Sequence, residues 1–227
     1  MRTIFNPKII YKEATLIDVD DFVVSGGKLY RIIKRVMDII LALTVAIFGL
    51  LICILITLAI KIESKGPIFY SQKRYGMNKK VFYFIKFRTM IDDAEKETGP
   101  KWADENDSRV TRVGNFLRKT HLDEFPQMIN VLRGEMSFVG PRPERPEFVE
   151  ILEKEIPQWD LRHKVLPGFT GLAQIKFRYA RTVDESKEKL KYDLYYLQHR
   201  SLLFDIKILF QTLLRYCFKV NTMEKNI

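Results

Sequence analysis

The sequence reads as an α+β protein, a mainly helical, membrane-associated domain with a small β-hairpin or sheet. Three observations carry this reading. Ile39 to Ile60 is an apolar run without a single charge, long enough for a membrane helix. Aromatic-rich stretches between Ile68 and Phe87 fit two short strands joined by a turn. Helical composition, with Leu, Ile and Phe outnumbering charges, marks Ser186 to Phe218.

The bulk numbers agree with one domain plus a membrane element in 227 residues. The 38 Lys and Arg against 28 Asp and Glu leave a net charge of +10, which suits an anionic membrane surface or phosphorylated substrates. Nothing in the sequence requires nucleic acid. Cys53 and Cys217 sit in apolar stretches without partner spacing, as buried thiols of a cytosol-facing protein do, so neither a disulfide nor a zinc site is expected. His121, His163 and His199 share no ligand spacing either.

In chain order, residues 1–33 form an N-terminal arm with the acidic residues Asp18, Asp20 and Asp21 and the Ser25-Gly26-Gly27 break. It is not a signal peptide, because the apolar run begins too deep in the chain. That run extends about 33 Å as a helix. Lys28, Arg31, Lys34 and Arg35 precede it, and Lys61, Lys65, Lys73 and Arg74 follow. Basic residues favour the cytoplasmic side, so two basic flanks suit a helix that dips in and returns, bent near Gly49. A straight crossing helix is the alternative. Thr44 and Thr57 are available for backbone groups freed by a bend.

After Gly66-Pro67, the stretch Ile68 to Gln72, a turn at Gly76-Met77-Asn78 and the stretch Val81 to Phe87 spell a β-hairpin. Lys86 and Arg88 flank Phe87, either to meet a phosphate or to guard a strand edge. Residues 92–108, with Gly99-Pro100, are polar and loop-like. Val113, Phe116 and Leu117 mark a short helix that carries Arg118 and Lys119 toward Asp123 and Glu124. Thr120 followed by Asp123 reads as the N-terminus of a second helix, ending at Gly134, and Pro126 predicts a distorted first turn. One carboxylate can then serve as nucleophile or base while the other holds a cation or proton; alternatively both complement a helix dipole.

Ser137 to Pro143 forms a rigid turn in which two prolines bracket Arg142, pre-organising a guanidinium for phosphate or for a surface acid. Helices are expected over 145–155 and 158–165, a glycine-punctuated loop over Pro167 to Gly171, and a strand over Leu172 to Phe177. That loop lacks the spacing of a P-loop or dinucleotide fingerprint. Ser186 to Phe218 is helical and too apolar for a soluble surface, which fits C-terminal interfacial amphipathic helices or else a core helix.

The order Lys34-Arg35-Val36-Met37-Asp38, apolar segment, Ser64-Lys65-Gly66-Pro67, Lys86-Phe87-Arg88-Thr89-Met90, Arg118-Lys119-Thr120 through Asp123-Glu124-Phe125-Pro126-Gln127, Val139-Gly140-Pro141-Arg142-Pro143, Pro167-Gly168-Phe169-Thr170-Gly171 and Tyr192-Asp193-Leu194-Tyr195-Tyr196 resembles the bacterial sugar transferase family. These are monotopic phosphoglycosyl transferases that begin polyprenyl-linked glycan assembly, such as exopolysaccharide and O-antigen. The likeness covers roughly residues 30 to 218. It implies transfer of a sugar 1-phosphate from a UDP-sugar to undecaprenyl phosphate with release of UMP, through a covalent aspartyl phosphosugar.

On the matching positions, the resemblance implies Asp123 as nucleophile, Glu124 as a catalytic residue that holds Mg²⁺, and Arg118, Arg142, Lys86 and Arg88 as substrate phosphate ligands. Lys34, Arg35, Asp38 and Gly49 fall to the membrane helix, which is re-entrant in this family. Relatives commonly bend at a Ser-Pro pair that this chain lacks, leaving Gly49 as the candidate bend. The implied divisions are an arm at 1–33, a membrane helix at 34–62, a catalytic domain at 63–219 and a tail at 220–227. The implied partners are the UDP-sugar, undecaprenyl phosphate and inner-leaflet lipids, with no nucleic acid and with a homodimer as a candidate assembly. The location is the bacterial inner membrane with the catalytic domain facing the cytosol. A catalytically silent membrane adaptor is the rival reading.

Overall fold

The computed structural model describes residues 19, 21–92, 94, 107–177, 180 and 182–218. Asp18, Asp20, most of the polar stretch 92–108 and the tail 220–227 lie outside the described residues. The chain divides into two compact units. One holds residues up to Asp38, Arg74–Phe82 and everything from Glu135 onward, and the other holds Ile39–Lys73 and Tyr83–Gly134.

Helix α1, Lys28–Glu63, starts inside the stretch read as an arm, directly after Ser25-Gly26-Gly27. It stops where Gly66 takes φ +112° ahead of Pro67, a conformation that favours glycine. Only 17% of its most apolar window is buried, which separates it from the core helix of a soluble protein. Ile47, Phe48, Leu50 and Leu51 all stand exposed. The helix runs unbroken past Gly49, whose missing side chain leaves room for the ring of Phe125. A Cβ there would lie 2.0 Å from that ring.

In the Ile39–Gly134 unit, the C-terminal half of α1 supplies Ile56 and Ile60 to a buried cluster with Phe87 and Leu117. Cys53, Ile68, Val113, Leu122 and Phe125 pack around it. The expected hairpin is present, as β1, Phe69–Tyr75, joined to β2, Val81–Phe87, through a short 3-10 turn; its tip, Arg74–Phe82, is assigned to the other unit. Asn78 and Lys79 both adopt positive φ in that turn, so the chain reverses within three residues. Helix α2, Arg112–Thr120, begins under a double cap. Thr111 accepts the Gly114 amide, and Glu63 accepts the Arg112 and Val113 amides at 2.7 and 3.0 Å. Helix α3, Gln127–Arg133, ends on Gly134 at φ 78°, as expected of its position.

In the other unit, β3, Ser137–Val139, pairs in parallel with β4, Gly168–Thr170. Around them lie α4, Pro146–Glu155; a 3-10 segment, Pro157–Lys164; α5, Leu172–Lys176; α6, Val183–His199; and α7, Leu202–Phe218. Trp159, Leu172, Leu197 and Ile208 are fully buried here. The strand expected at Leu172 to Phe177 is a helix, and the strand lies just before it. The run is too short for its period to distinguish the two, and the Gly171 carbonyl accepts the Ile175 amide to start a helical turn. Asp205, in the first turn of α7, collects the Tyr30 hydroxyl at 2.8 Å, the Lys34 ammonium at 2.9 Å and the Tyr196 hydroxyl at 2.7 Å. Asp38 is buried and accepts the Phe138 amide at 2.9 Å.

Gly114 packs so closely on Thr89 that an added Cβ would meet the Thr89 carbonyl oxygen at 2.0 Å. Helix propensity alone says that Gly114→Ala should stabilise α2 by about 1 kcal/mol. The backbone contact reverses the sign, and we expect a net loss of about 1–3 kcal/mol. Thermal unfolding in detergent should show a lowered midpoint for this variant and none for Gly27→Ala, which meets nothing within 4 Å; a raised midpoint for Gly114→Ala would refute the packing account.

Candidate active site

Asp123 and Glu124 lie on a 3-10 turn, Leu122–Glu124, between α2 and α3. Thr120 does not cap the second helix, as its spacing suggested. It is the last residue of α2, and its hydroxyl turns back to the Phe116 and Leu117 carbonyls. His121 then takes φ 57° and closes that helix. Pro126 precedes α3, where its missing amide costs nothing. The irregular backbone expected from Pro126 is therefore real, but it forms a separate turn rather than a bent first helical turn. Consecutive residues in a regular α-helix diverge by about 100°; here both carboxylates are buried and reach the same ammonium.

Both residues are nearly closed to solvent, at 6% exposure for Asp123 and 8% for Glu124. Two adjacent buried charges of one sign require compensation. Lys86 supplies it from β2, with Nζ 2.7 Å from Glu124 Oε1 and 3.8 Å from Asp123 Oδ2. The same ammonium lies 5.3 Å from the Phe84 ring centroid, a contact that favours a cation. Leu122 and Phe125 bracket the acids and anchor the turn in the apolar cluster.

Asn130 fixes the strand that carries Lys86. Its amide nitrogen donates to the Tyr83 carbonyl at 2.8 Å, and its oxygen accepts the Ile85 amide at 3.2 Å. This residue did not stand out in the sequence, although a single Asn within Met128, Ile129, Val131 and Leu132 is the signal of a polar group aimed at a specific buried partner. Arg118 reaches Thr89, with Nε 2.9 Å from Oγ1. Arg88 is buried, and its guanidinium donates to the Ser64 and Lys65 carbonyls and the Ser64 hydroxyl at 2.8–2.9 Å. It thereby ties the end of α1 to the hairpin.

Arg142 belongs to the other unit, in the loop after β3. Next to it, Glu144 gathers Lys189 at 2.8 Å, Arg74 at 3.5 Å and Arg162 at 4.0 Å. Burial alone would raise its carboxyl, yet the three cations bring it down to about 2. Asp193, whose pair is chiefly with Arg162 at 3.0 Å, is instead raised by burial. Glu153, Asp160 and His163 approach one another closely enough for a metal. Lys79 already sits 2.8 and 3.2 Å from the two acids, so an ammonium takes up their charge, while burial beside Arg162 lowers His163 to about 4 and leaves its ring neutral.

The Lys86 compensation is testable. Lys86→Met should cost about 1–3 kcal/mol of stability by removing this cation from two buried acids. Adding Glu124→Gln to Lys86→Met should recover part of that loss. A thermal midpoint unchanged by Lys86→Met would show that the pair does not depend on it.

The sequence profile of the family described as bacterial sugar transferase matches residues 29–219. The UDP-N-acetylgalactosamine-undecaprenyl-phosphate N-acetylgalactosaminephosphotransferase of Aeromonas hydrophila is 42% identical over 186 residues, covering 82% of this chain and 44% of that protein. The UDP-glucose:undecaprenyl-phosphate glucose-1-phosphate transferase of Escherichia coli (strain K12) is 43% identical over 187 residues, 82% of this chain and 40% of the relative. A protein of the same description from Caulobacter vibrioides is 41% identical over 196 residues, 82% of this chain and 72% of the relative. The chain thus spans less than half of the length of the first two. With a match running from the first turn of α1 to the end of α7, and with every motif of the acid turn inside it, the chain belongs to the bacterial sugar transferase family.

Proposed function

We propose that this chain catalyses transfer of a sugar 1-phosphate from a UDP-sugar to undecaprenyl phosphate, as a membrane-bound step that initiates a surface glycan. The observation that carries the reading is the buried Asp123–Glu124 pair on its 3-10 turn with the Lys86 ammonium against it. The names of the relatives supply the substrate class.

In this reading Asp123 is the nucleophile. A carboxylate oxygen of Asp123 forms a bond to the phosphorus that bears the sugar, the bond from that phosphorus to the bridging oxygen breaks, and UMP leaves with the electron pair. A phosphate oxygen of undecaprenyl phosphate then attacks the same phosphorus and frees the Asp123 carboxylate. Each nucleophile attacks through an anionic oxygen, a carboxylate and then a phosphate, so neither attack calls for a general base. The difficulty is charge repulsion, and the chain's contribution is positioning plus fixed positive charge. Lys86 and Arg118 provide this in the acid unit, and Arg142 keeps the phosphate-binding role that family resemblance gives it. Arg88, with its donors on Ser64 and Lys65, acts by holding the end of α1 against the hairpin that carries Lys86.

Two adjacent buried carboxylates are hard oxygen donors of the class that Mg²⁺ takes, so Glu124, with Asp123, fits as its holder. When bound, the ion supplies further neutralisation of the phosphate oxygens.

The membrane placement rests on Gly49 and α7. A straight crossing would put Gly49, at the middle of the apolar run, near the bilayer centre. The Phe125 ring on Gly49 would bring Asp123 and Glu124 with it, where charge is expensive and substrates do not reach. A helix that enters and returns, which requires α1 to curve or to open at Gly49 in the bilayer where it is continuous in this structure, would keep the acids at headgroup level, where the acceptor phosphate lies. Exposed Leu203, Ile206, Phe210 and Leu213 form one apolar stripe on α7, the pattern of a helix lying in the interface. The proposed cytosolic face is supported by the basic residues on both flanks of α1, since such residues favour that side.

Asp123→Asn and Glu124→Gln should each lower UMP release from UDP-glucose or UDP-N-acetylgalactosamine by at least about 10³-fold, with membrane association intact. Normal turnover by Asp123→Asn would remove the nucleophile assignment. Cysteines placed at Lys34 and Lys65 should both label from the cytosolic side; labelling from opposite sides would mean a crossing helix.

A further inference from the structure

The loop after β3 has an unusual backbone. Four successive carbonyls are each hydrogen-bonded from outside the loop. Pro141 O accepts from the Gly168 amide at 2.8 Å and Glu144 O from the Tyr75 amide at 3.1 Å. Between them, Arg142 O accepts from Arg162 Nη2 at 2.7 Å and Pro143 O from Arg74 Nη1 at 2.9 Å. The outer two donors are main chain, but the inner two are guanidinium groups. Prolines on both sides of Arg142 fix φ at 141 and 143 and restrict ψ at the residues before them. The Arg142 backbone is therefore held on both sides and at its own carbonyl.

Arg162 is built for this task rather than for solvation. Its side chain is 2% exposed, lies 3.0 Å from Asp193 Oδ2 and 4.0 Å from Glu144 Oε1, and stands 4.6 Å over the Trp159 ring. A buried ion pair seldom adds net stability over apolar packing of the same volume, so its retention calls for a geometric reason. The fork of a guanidinium can hold a carboxylate and a carbonyl at once, which an ammonium does poorly. Arg74 repeats the arrangement, with Glu144 at 3.5 Å and the Pro143 carbonyl. Lys189 completes the set on Glu144 at 2.8 Å.

We propose that Arg162 and Arg74 are positioning residues for Arg142. By clamping the carbonyls at 142 and 143 they fix the direction in which the Arg142 side chain leaves the loop, and so set how well it meets a phosphate of the nucleoside diphosphate sugar. The inference rests on the reading of Arg142 as a phosphate ligand. Arg162 and Arg74 touch no substrate themselves.

The test uses Arg162→Lys and Arg74→Gln, each alone and combined with Arg142→Ala, assayed with UDP-glucose and UDP-N-acetylgalactosamine beside a thermal-unfolding measurement. Arg162→Lys retains the charge opposite Asp193 and loses the fork. Arg74→Gln, at the end of a strand and partly exposed, carries the same test if Arg162→Lys does not fold. Each single variant should raise the donor KM by about ten-fold with a smaller change in kcat, as a misplaced contact does, and should add nothing further in the Arg142→Ala background. Unchanged KM values in both variants, with Arg142→Ala impaired, would overturn the positioning role and leave the Arg142 reading intact. Effects that multiply with Arg142→Ala would also overturn it, because the two arginines would then act independently of Arg142. If Arg142→Ala itself leaves KM unchanged, the phosphate-ligand reading fails first and the inference falls with it.

Discussion

Two neighbouring carboxylates removed from water are the constraint around which the Ile39–Gly134 unit is arranged. Isolated, each would carry a desolvation cost large enough to unfold a small domain. Among the described residues Lys86 helps to meet it, delivered by β2 to within 2.7 Å of Glu124. That delivery depends in turn on Asn130, which bonds to the strand on either side of Phe84. A carboxylate kept charged but poorly solvated is a better nucleophile than a hydrated one. In the function proposed here, the same arrangement that makes the acids costly makes Asp123 useful.

The long apolar helix also builds the core of the acid unit. Ile56 and Ile60 form the floor of the cluster that holds Phe87, Leu117, Leu122 and Phe125, and Gly49 gives its surface to the Phe125 ring. The acid turn is thus packed against the long apolar helix. Lys34 and Asp38 serve the other unit in the same spirit. They hold Asp205 and the Phe138 amide rather than pointing only at lipid headgroups, so part of the basic flank is structural.

Much of this was legible in the residues. The uncharged run gave α1, Gly76-Met77-Asn78 gave the hairpin, and Gly134 gave the end of α3, because each rests on local chemistry that admits few alternatives. Pro126 announced an irregular backbone at the acids, although its form as a separate 3-10 turn depended on His121 adopting φ 57°, which no spacing rule signals. The misreadings lie where local and distant effects compete. Thr120 matched a capping pattern but bonds backwards to close α2. Leu172 to Phe177 read as a strand but forms a helix, while the neighbouring Gly168–Thr170 pairs with a strand some thirty residues earlier. The Lys86 pairing, the Arg88 anchor and the clamps on residues 141–144 all join positions far apart in sequence, and only the folded chain reveals them.

The account stands on covalent participation by one side chain, and mass spectrometry of the protein mixed with a UDP-sugar before any undecaprenyl phosphate is added tests it most directly. We expect a phosphosugar adduct on Asp123, formed together with UMP and discharged when undecaprenyl phosphate is supplied. Product formed at full rate with no adduct on Asp123 at any time of quenching would contradict it.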